Sequence, residues 1–184
     1  MLIRELTRQE SIEVLARAHL GRLACAHENQ PYIVPLYFAY DDDYLYSFST
    51  RGQKVEWMRS NPNVCVEVDE VASPQRWVSV VVFGQYEEMP DVPEWRGARE
   101  YARKKLLQRN AIWWEPAYAR TIQRDSERPL APSFYRIRIV QITGHRATHE
   151  HPTPTGTSPS TSRPDRARWL GLILRRVGKT AQVL

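Results

Sequence analysis

The sequence predicts a mainly β protein: six antiparallel strands rolled into a small closed or partly closed barrel, with helices at its periphery. Three observations predict it. Six runs are rich in β-branched and aromatic residues, short polar turns join the first three, and one helical segment is inserted after the third. At 184 residues the chain is long enough for one well-buried domain and too short for two comfortable ones.

The first element is a helix. Thr7 and Glu10 have capping-box spacing, and Ile12, Leu15, Ala16 and His19 recur at helical intervals, with Gly21 expected to end the run. From Arg22 the pattern changes to that of strands. RLACAH (22–27) and YIVPLYFAY (32–40) flank a turn at Glu28-Asn29-Gln30, and YLYSFS (44–49) follows the turn Asp41-Asp42-Asp43. Thr50-Arg51-Gly52-Gln53 then leads into a short helix, KVEWMRSN, stopped at Asn61-Pro62. VCVEVDEV (64–71) and WVSVVVFGQYEEM (77–89) are the fourth and fifth strands, with Gly84 placed for a bulge or a close backbone approach. Asp91 to about Gln108 reads as helix, with Pro93 suited to its first turn. AIWWEPAYA (111–119) is an aromatic covering segment, and FYRIRIVQITG (134–144) is the sixth strand.

Residues 1–148 thus form the expected domain. Residues 149–164 read as a disordered linker, because 152–162 contain only Pro, Thr, Gly and Ser and cannot bury a core. Residues 165–184 are a basic amphipathic segment in which Trp169, Leu170, Leu172, Ile173 and Leu174 alternate with Arg166, Arg168, Arg175 and Arg176. Such a segment could lie on an anionic membrane surface, dock on a protein partner, or pack on its own dimer.

Charge and composition exclude several classes. The net charge is +5, but residues 1–147 carry 20 Lys/Arg against 19 Asp/Glu, while residues 148–184 carry 6 against 2. The body is nearly neutral, so no nucleic-acid-binding face is expected. No run approaches the ~18 apolar residues of a membrane span, and the charged N-terminus lacks a signal peptide's apolar core. Cys25 and Cys65 suit reduced thiols, so a cytoplasmic location is expected. Metal is not expected: there is no CxxC, and His145, His149 and His151 fall where rigid ligand geometry is hard to hold.

The stretch that carries chemistry is strand–STRGQK–helix. Ser49, Thr50 and Gly52 lie where a strand hands over to a helix N-terminus, whose free N–H groups and dipole favour an anion. Lys54 adds a positive charge, and the two hydroxyls can donate to phosphate oxygens. The plainer alternative is that Ser49 or Thr50 simply caps the helix. Pro35, inside a strand, removes one ladder donor and favours an edge position. A flat ring could lie along that edge against Val34, Leu36 and Tyr37; alternatively, Pro35 only blunts the edge against aggregation.

LGRLA (20–24), PYIVPLYFAY (31–40), LYSFSTRGQK (45–54), NPNVCVEVDE (61–70), WVSVVVFGQYEE (77–88) and FYRIRIVQITG (134–144) together resemble the pyridoxamine 5′-phosphate oxidase-like family, in the branch that includes the nitroimidazole-resistance proteins. The resemblance implies a six-stranded antiparallel split β-barrel of the FMN-binding type, dimeric, with two FMN sites at the subunit interface. It implies that Val34, Pro35, Leu36 and Tyr37 line the flavin ring, and that Ser47, Ser49, Gly52 and Lys54 hold the ribityl phosphate. It also places Ser79 toward the flavin, and Trp77 or the Trp113-Trp114 segment of a second subunit is the expected cover. Two departures argue against oxidation of pyridoxamine phosphate itself. Gln53 stands where the oxidase has the arginine of an Arg-Lys pair, and the strands VPLYF and WVSVVV lack basic residues for a phosphorylated substrate.

The expected function is therefore that of an FMN-dependent oxidoreductase acting on a small molecule, with no catalytic residue assigned, since the flavin carries the electron transfer. The alternative is a non-catalytic flavin- or haem-binding module for sensing, storage or partner recruitment, with His19 or the later histidines as axial-ligand candidates.

Overall fold

The computed structural model describes residues 1–109 and 132–149. Contacts divide the chain into Met1–Glu150 and His151–Leu184, and only the first unit falls within the described residues. The expected cover with Trp113 and Trp114, His151, the linker and the amphipathic segment lie outside them.

Eight strands occur among the described residues: β1 (Leu2–Glu5), β2 (Leu20–His27), β3 (Gln30–Tyr37), β4 (Ala39–Asp41), β5 (Tyr44–Thr50), β6 (Asn63–Ser73), β7 (Arg76–Met89) and β8 (Pro132–Thr148). All ladders are antiparallel, in the order β3-β2-β6-β7-β8-β5-β4, with β1 added to the far end of β8. The two ends of this order, β3 and β4, are separated in the chain by Phe38 alone. The sheet must curl until its edges nearly meet, so the barrel is split at a seam beside Phe38. The expected barrel is present, with two more strands than the sequence revealed. The expected strand 32–40 breaks at buried Phe38, whose amide bonds the His19 carbonyl at 3.1 Å instead of continuing a ladder. The short β1 has four exposed residues and hence no period to read.

Helix α1 (Arg8–Arg17) carries the expected capping box: the Glu10 amide donates to the Thr7 hydroxyl at 3.2 Å, and the Thr7 amide to the Glu10 carboxylate at 2.9 Å. It ends at Ala18, not at Gly21, and exposed His19 lies beyond it. Gly21 belongs to β2, where a Cβ would stand 2.8 Å from the Glu67 carbonyl oxygen of the neighbouring strand. Both early hairpins turn on residues with positive φ, Glu28 (48°) with Asn29 (63°) and Asp42 (46°) with Asp43 (63°), as two-residue type I′ turns require. Gly84 marks a bulge between β7 and β8 at which Val140 has no partner; a Cβ there would meet Ile137 Cγ2 at 2.5 Å and the Arg138 carbonyl at 2.8 Å.

Alternation along the strands builds two cores. Leu23, Cys25, Leu36, Leu45, Val66, Val80, Tyr135 and Ile137 fill the barrel beside Val14 and Leu15 of α1. The opposite faces of β4, β5 and β8 contribute Ala39, Tyr46 and Phe134 to a second cluster closed by Ala102 and Leu106 of α3 (Arg96–Arg109). A short 3₁₀ turn, Pro93–Trp95, leads into α3 where proline was expected. The remaining helix, α2 (Gln53–Ser60), fills the β5–β6 connection and packs on β2.

Candidate functional site: the strand-to-helix junction at the barrel seam

Strand β5 points Ser47 and Ser49 to the side of Leu45, and both are buried. Ser47 donates to the carbonyl of Tyr37 at 2.7 Å, tying β5 to the end of β3. Ser49, two residues closer to α2, donates to the Thr50 carbonyl at 2.9 Å. The chain then bends through Arg51 into α2, whose N-cap is Gly52 and carries no side-chain cap. Neither Ser49 nor Thr50 caps the helix, so the plainer reading of those residues does not hold.

The amides of Val55 and Glu56 bond the Gly52 carbonyl at 2.9 and 3.2 Å, leaving the first amides of the helix without intrahelical acceptors. A Cβ on Gly52 would meet nothing within 4 Å, so packing does not demand glycine there, and the backbone is open to an approaching group. Lys54, in this first turn, is partly buried and forms no ion pair among the described residues. Burial pushes its ammonium below the usual lysine range, partly offset by the Cys25 thiol. A cation taken from water with no carboxylate in return is matched by an incoming anion. Buried Cys25, whose own pKa is pushed up by burial, escaped the functional reading although its inward position in β2 follows from the period-two alternation.

Strand β3 is at the edge of the sheet, where Pro35 was expected to put it. Its even-numbered residues face in: Leu36 is buried and Val34 packs against the barrel core, while Pro35 faces out opposite Arg22. The Tyr37 ring joins the second core cluster, where burial raises its phenol pKa, with Arg109 opposing. A planar ligand along β3 would meet its backbone edge, not its side chains.

Trp77 and Ser79 stand apart from this junction. Ser79 lies on the outer face of β7 and donates to Glu67 at 3.2 Å; Glu67 neighbours Arg22, which also bonds Asp69. Trp77 pairs with Val71 and Ala147 at the end of the sheet where β6 turns into β7. The chain therefore sets Ser49, Thr50, Gly52 and Lys54 along the β5–α2 junction, with Ser47 two residues back on β5 and Val34 to Tyr37 on the edge strand β3, but places Ser79 on the outer face of β7. No cluster of metal-ligating side chains occurs among the described residues, and His151 lies outside them. No helix there is long and apolar enough to cross a membrane.

The family model described as pyridoxamine 5′-phosphate oxidase matches residues 7–146. An uncharacterized protein of Rhizobium meliloti is 39% identical over 147 residues, covering 80% of this chain and 97% of that one. The crystal structure of a FAD-binding protein from Mesorhizobium loti is 43% identical with a TM-score of 0.65, covering 81% of this chain and 99% of its own. A FAD-binding protein from Mycobacterium smegmatis, at 20% identity and a TM-score of 0.55 over 81% of this chain and all (100%) of its own, shares the fold. A match across most of the domain, from the capped first helix to the last strand, makes the chain a member of the pyridoxamine 5′-phosphate oxidase family.

Proposed function

We propose that this protein binds a flavin nucleotide, FMN in the first instance, with its phosphate at the Lys54 junction and its ring along the β3 edge, and transfers electrons to or from a small molecule. The observation that carries the reading is the desolvated Lys54, without an acidic partner among the described residues, beside a helix N-terminus without a side-chain cap. The bound flavin supplies the electron transfer. The chain's part is to hold the phosphate through Lys54 and the first amides of α2, to bond the ring's polar edge with the backbone of Val34 to Tyr37, and to keep water from it. Ser47 acts indirectly here, fixing the seam through the Tyr37 carbonyl.

FMN is preferred because the junction is a single-phosphate cradle and the chain has no GxGxxG fingerprint. FAD is the second reading, supported by the 43%-identical Mesorhizobium loti protein, which binds FAD. The open space above Gly52 leaves room for a longer nucleotide. A second copy of the chain is the proposed cover of the ring. An apolar strip crosses the outer face of the sheet through Ile33, Ala24, Cys65 and Phe83, with Ile33 65% and Phe83 47% exposed. Charged Arg22 and Glu67 flank it on one side and polar Asn63 and Gln85 on the other, the anatomy of an interface. Two unpaired cysteines support a reducing, cytoplasmic setting.

The absorption spectrum of the purified protein, followed by titration with FMN and FAD, tests the proposal. A flavin spectrum with one flavin per chain and tighter binding of FMN is expected. Tighter FAD binding moves the assignment to the second reading, and a haem spectrum overturns both. Turnover with a reduced nicotinamide and an electron acceptor separates an oxidoreductase from a binding module.

A further inference from the structure

At the end of the sheet where β6 turns into β7, a hollow of about 480 Å³ is lined by Arg17, Glu70, Ala72, Arg76, Val78 and Arg146, among others. It shares no lining residue with the Lys54 junction. Its one carboxylate is already neutralised: Arg17 holds Glu70 with two hydrogen bonds of 2.6 and 2.9 Å. Arg76 and Arg146 have no such partner among the described residues.

The register puts Arg76 and Arg146 on one face of neighbouring strands, and both line the hollow. Arg76 and Val78 are two apart on one strand and so share a face, and Arg146 stands directly across from Val78 on β8. On its other side Arg146 faces Arg4 of β1, another cation, whose charge is taken up by Glu10 at 2.6 Å. Like charges placed opposite each other across a ladder are unfavourable. No carboxylate among the described residues pairs with Arg146, yet it is partly buried beside the buried side chain of Val78, with Ala72 also lining the hollow.

We propose that this hollow is a second anion-binding site, in which Arg76 and Arg146 clasp a phosphate or carboxylate while Val78 and Ala72 receive the apolar part of the same ligand. Guanidinium groups suit this chemistry because their forked donors match the oxygens of such anions. The anion could belong to a free organic substrate or to the second phosphate of a dinucleotide bound by a partner subunit; the chemistry is common to both. Only the dinucleotide source rests on the flavin reading.

The test uses the full-length protein as purified, with pyrophosphate and benzoate as probes and thermal stability as the readout. Stabilisation of the wild type and of Lys54→Ala, weakened about tenfold in apparent affinity by Arg146→Gln and by Arg76→Gln, is expected. Stabilisation abolished by Lys54→Ala but untouched by the arginine variants would overturn the site, as would no stabilisation by either probe. The FAD-to-FMN affinity ratio of Arg146→Gln then identifies the source. A ratio that falls against wild type assigns the anion to the dinucleotide, and an unchanged ratio with lost pyrophosphate binding assigns it to a free ligand. Because Arg146→Gln could disturb the sheet, Arg146→Lys serves as the control: charge without the fork should restore part of the pyrophosphate response.

Discussion

Lys54 carries opposite consequences for stability and for binding. Its charged form is penalised by burial, a cost present while the side chain is protonated and relieved as pH rises through its depressed folded pKa toward the unfolded value. Lys54→Met is therefore expected to raise the thermal midpoint of the flavin-free protein at neutral pH. The same variant should weaken flavin binding roughly 10-fold or more, since charge-assisted hydrogen bonds contribute about 1.5–3 kcal/mol. Calorimetry on the apoprotein and a flavin titration check the two halves. Gly84 gives a second single-residue expectation. A methyl group has no room between Ile137 and the Arg138 carbonyl, so Gly84→Ala should destabilise by about 1–3 kcal/mol in chemical denaturation. The sequence marked both positions. What it did not disclose was where the hydroxyls of Ser47 and Ser49 point, because their inward facing follows from where β5 lies in the barrel.

At the level of elements, the hairpin turns and the first helix make the clearest expectations. Glu28 holds φ at 48° without the small side chain that such a position favours. Glu28→Gly should stabilise by about 0.5 kcal/mol, the relief of strain being offset in part by a more flexible unfolded chain. For α1, Arg4 and the Thr7 amide hold the Glu10 carboxyl at about 2, below its ordinary value. Because the folded pKa is the lower one, Glu10 contributes stability above its unfolded pKa and loses it as pH falls through the folded value. Glu10→Gln should thus reduce stability at neutral pH, and the difference from wild type should shrink below pH ~4. Thermal unfolding of both proteins across that range measures it. Capping boxes and turns are legible because their partners are three or four residues apart. The break at Phe38 and the membership of Gly21 in a strand were not, since each is decided by a distant partner, the His19 carbonyl in one case and the Glu67 carbonyl in the other.

For the whole molecule, flavin and dimer should be linked. A ligand that binds between two copies shifts the monomer–dimer balance toward the dimer, so the flavin-loaded protein should dissociate at lower concentration than the apoprotein. Sedimentation over a dilution series tests this, with two flavins per dimer expected; a monomer retaining stoichiometric flavin would remove the interface reading. Truncation after Thr148 should leave both dimer and flavin intact, because the family match ends at residue 146 and β8 ends at Thr148.

Strand β8 pairs with β1, β5 and β7, and so sits in the middle of a sheet whose other strands, among the described residues, all precede it in the chain. During synthesis, β1 through β7 emerge before the strand that joins β5 to β7. Until residues 132–148 leave the ribosome, β7 and β5 each present an unsatisfied ladder edge, and β1 has nothing to pair with. Between the completion of β7 at Met89 and the emergence of β8, the nascent chain can pair its strands only as two disconnected partial sheets, β3-β2-β6-β7 and β5-β4, and it completes in a late step dominated by long-range contacts. A ribosome that stalls within β8 would release a chain with two sticky edges, and the demand for a chaperone should fall at the last stretch of the domain.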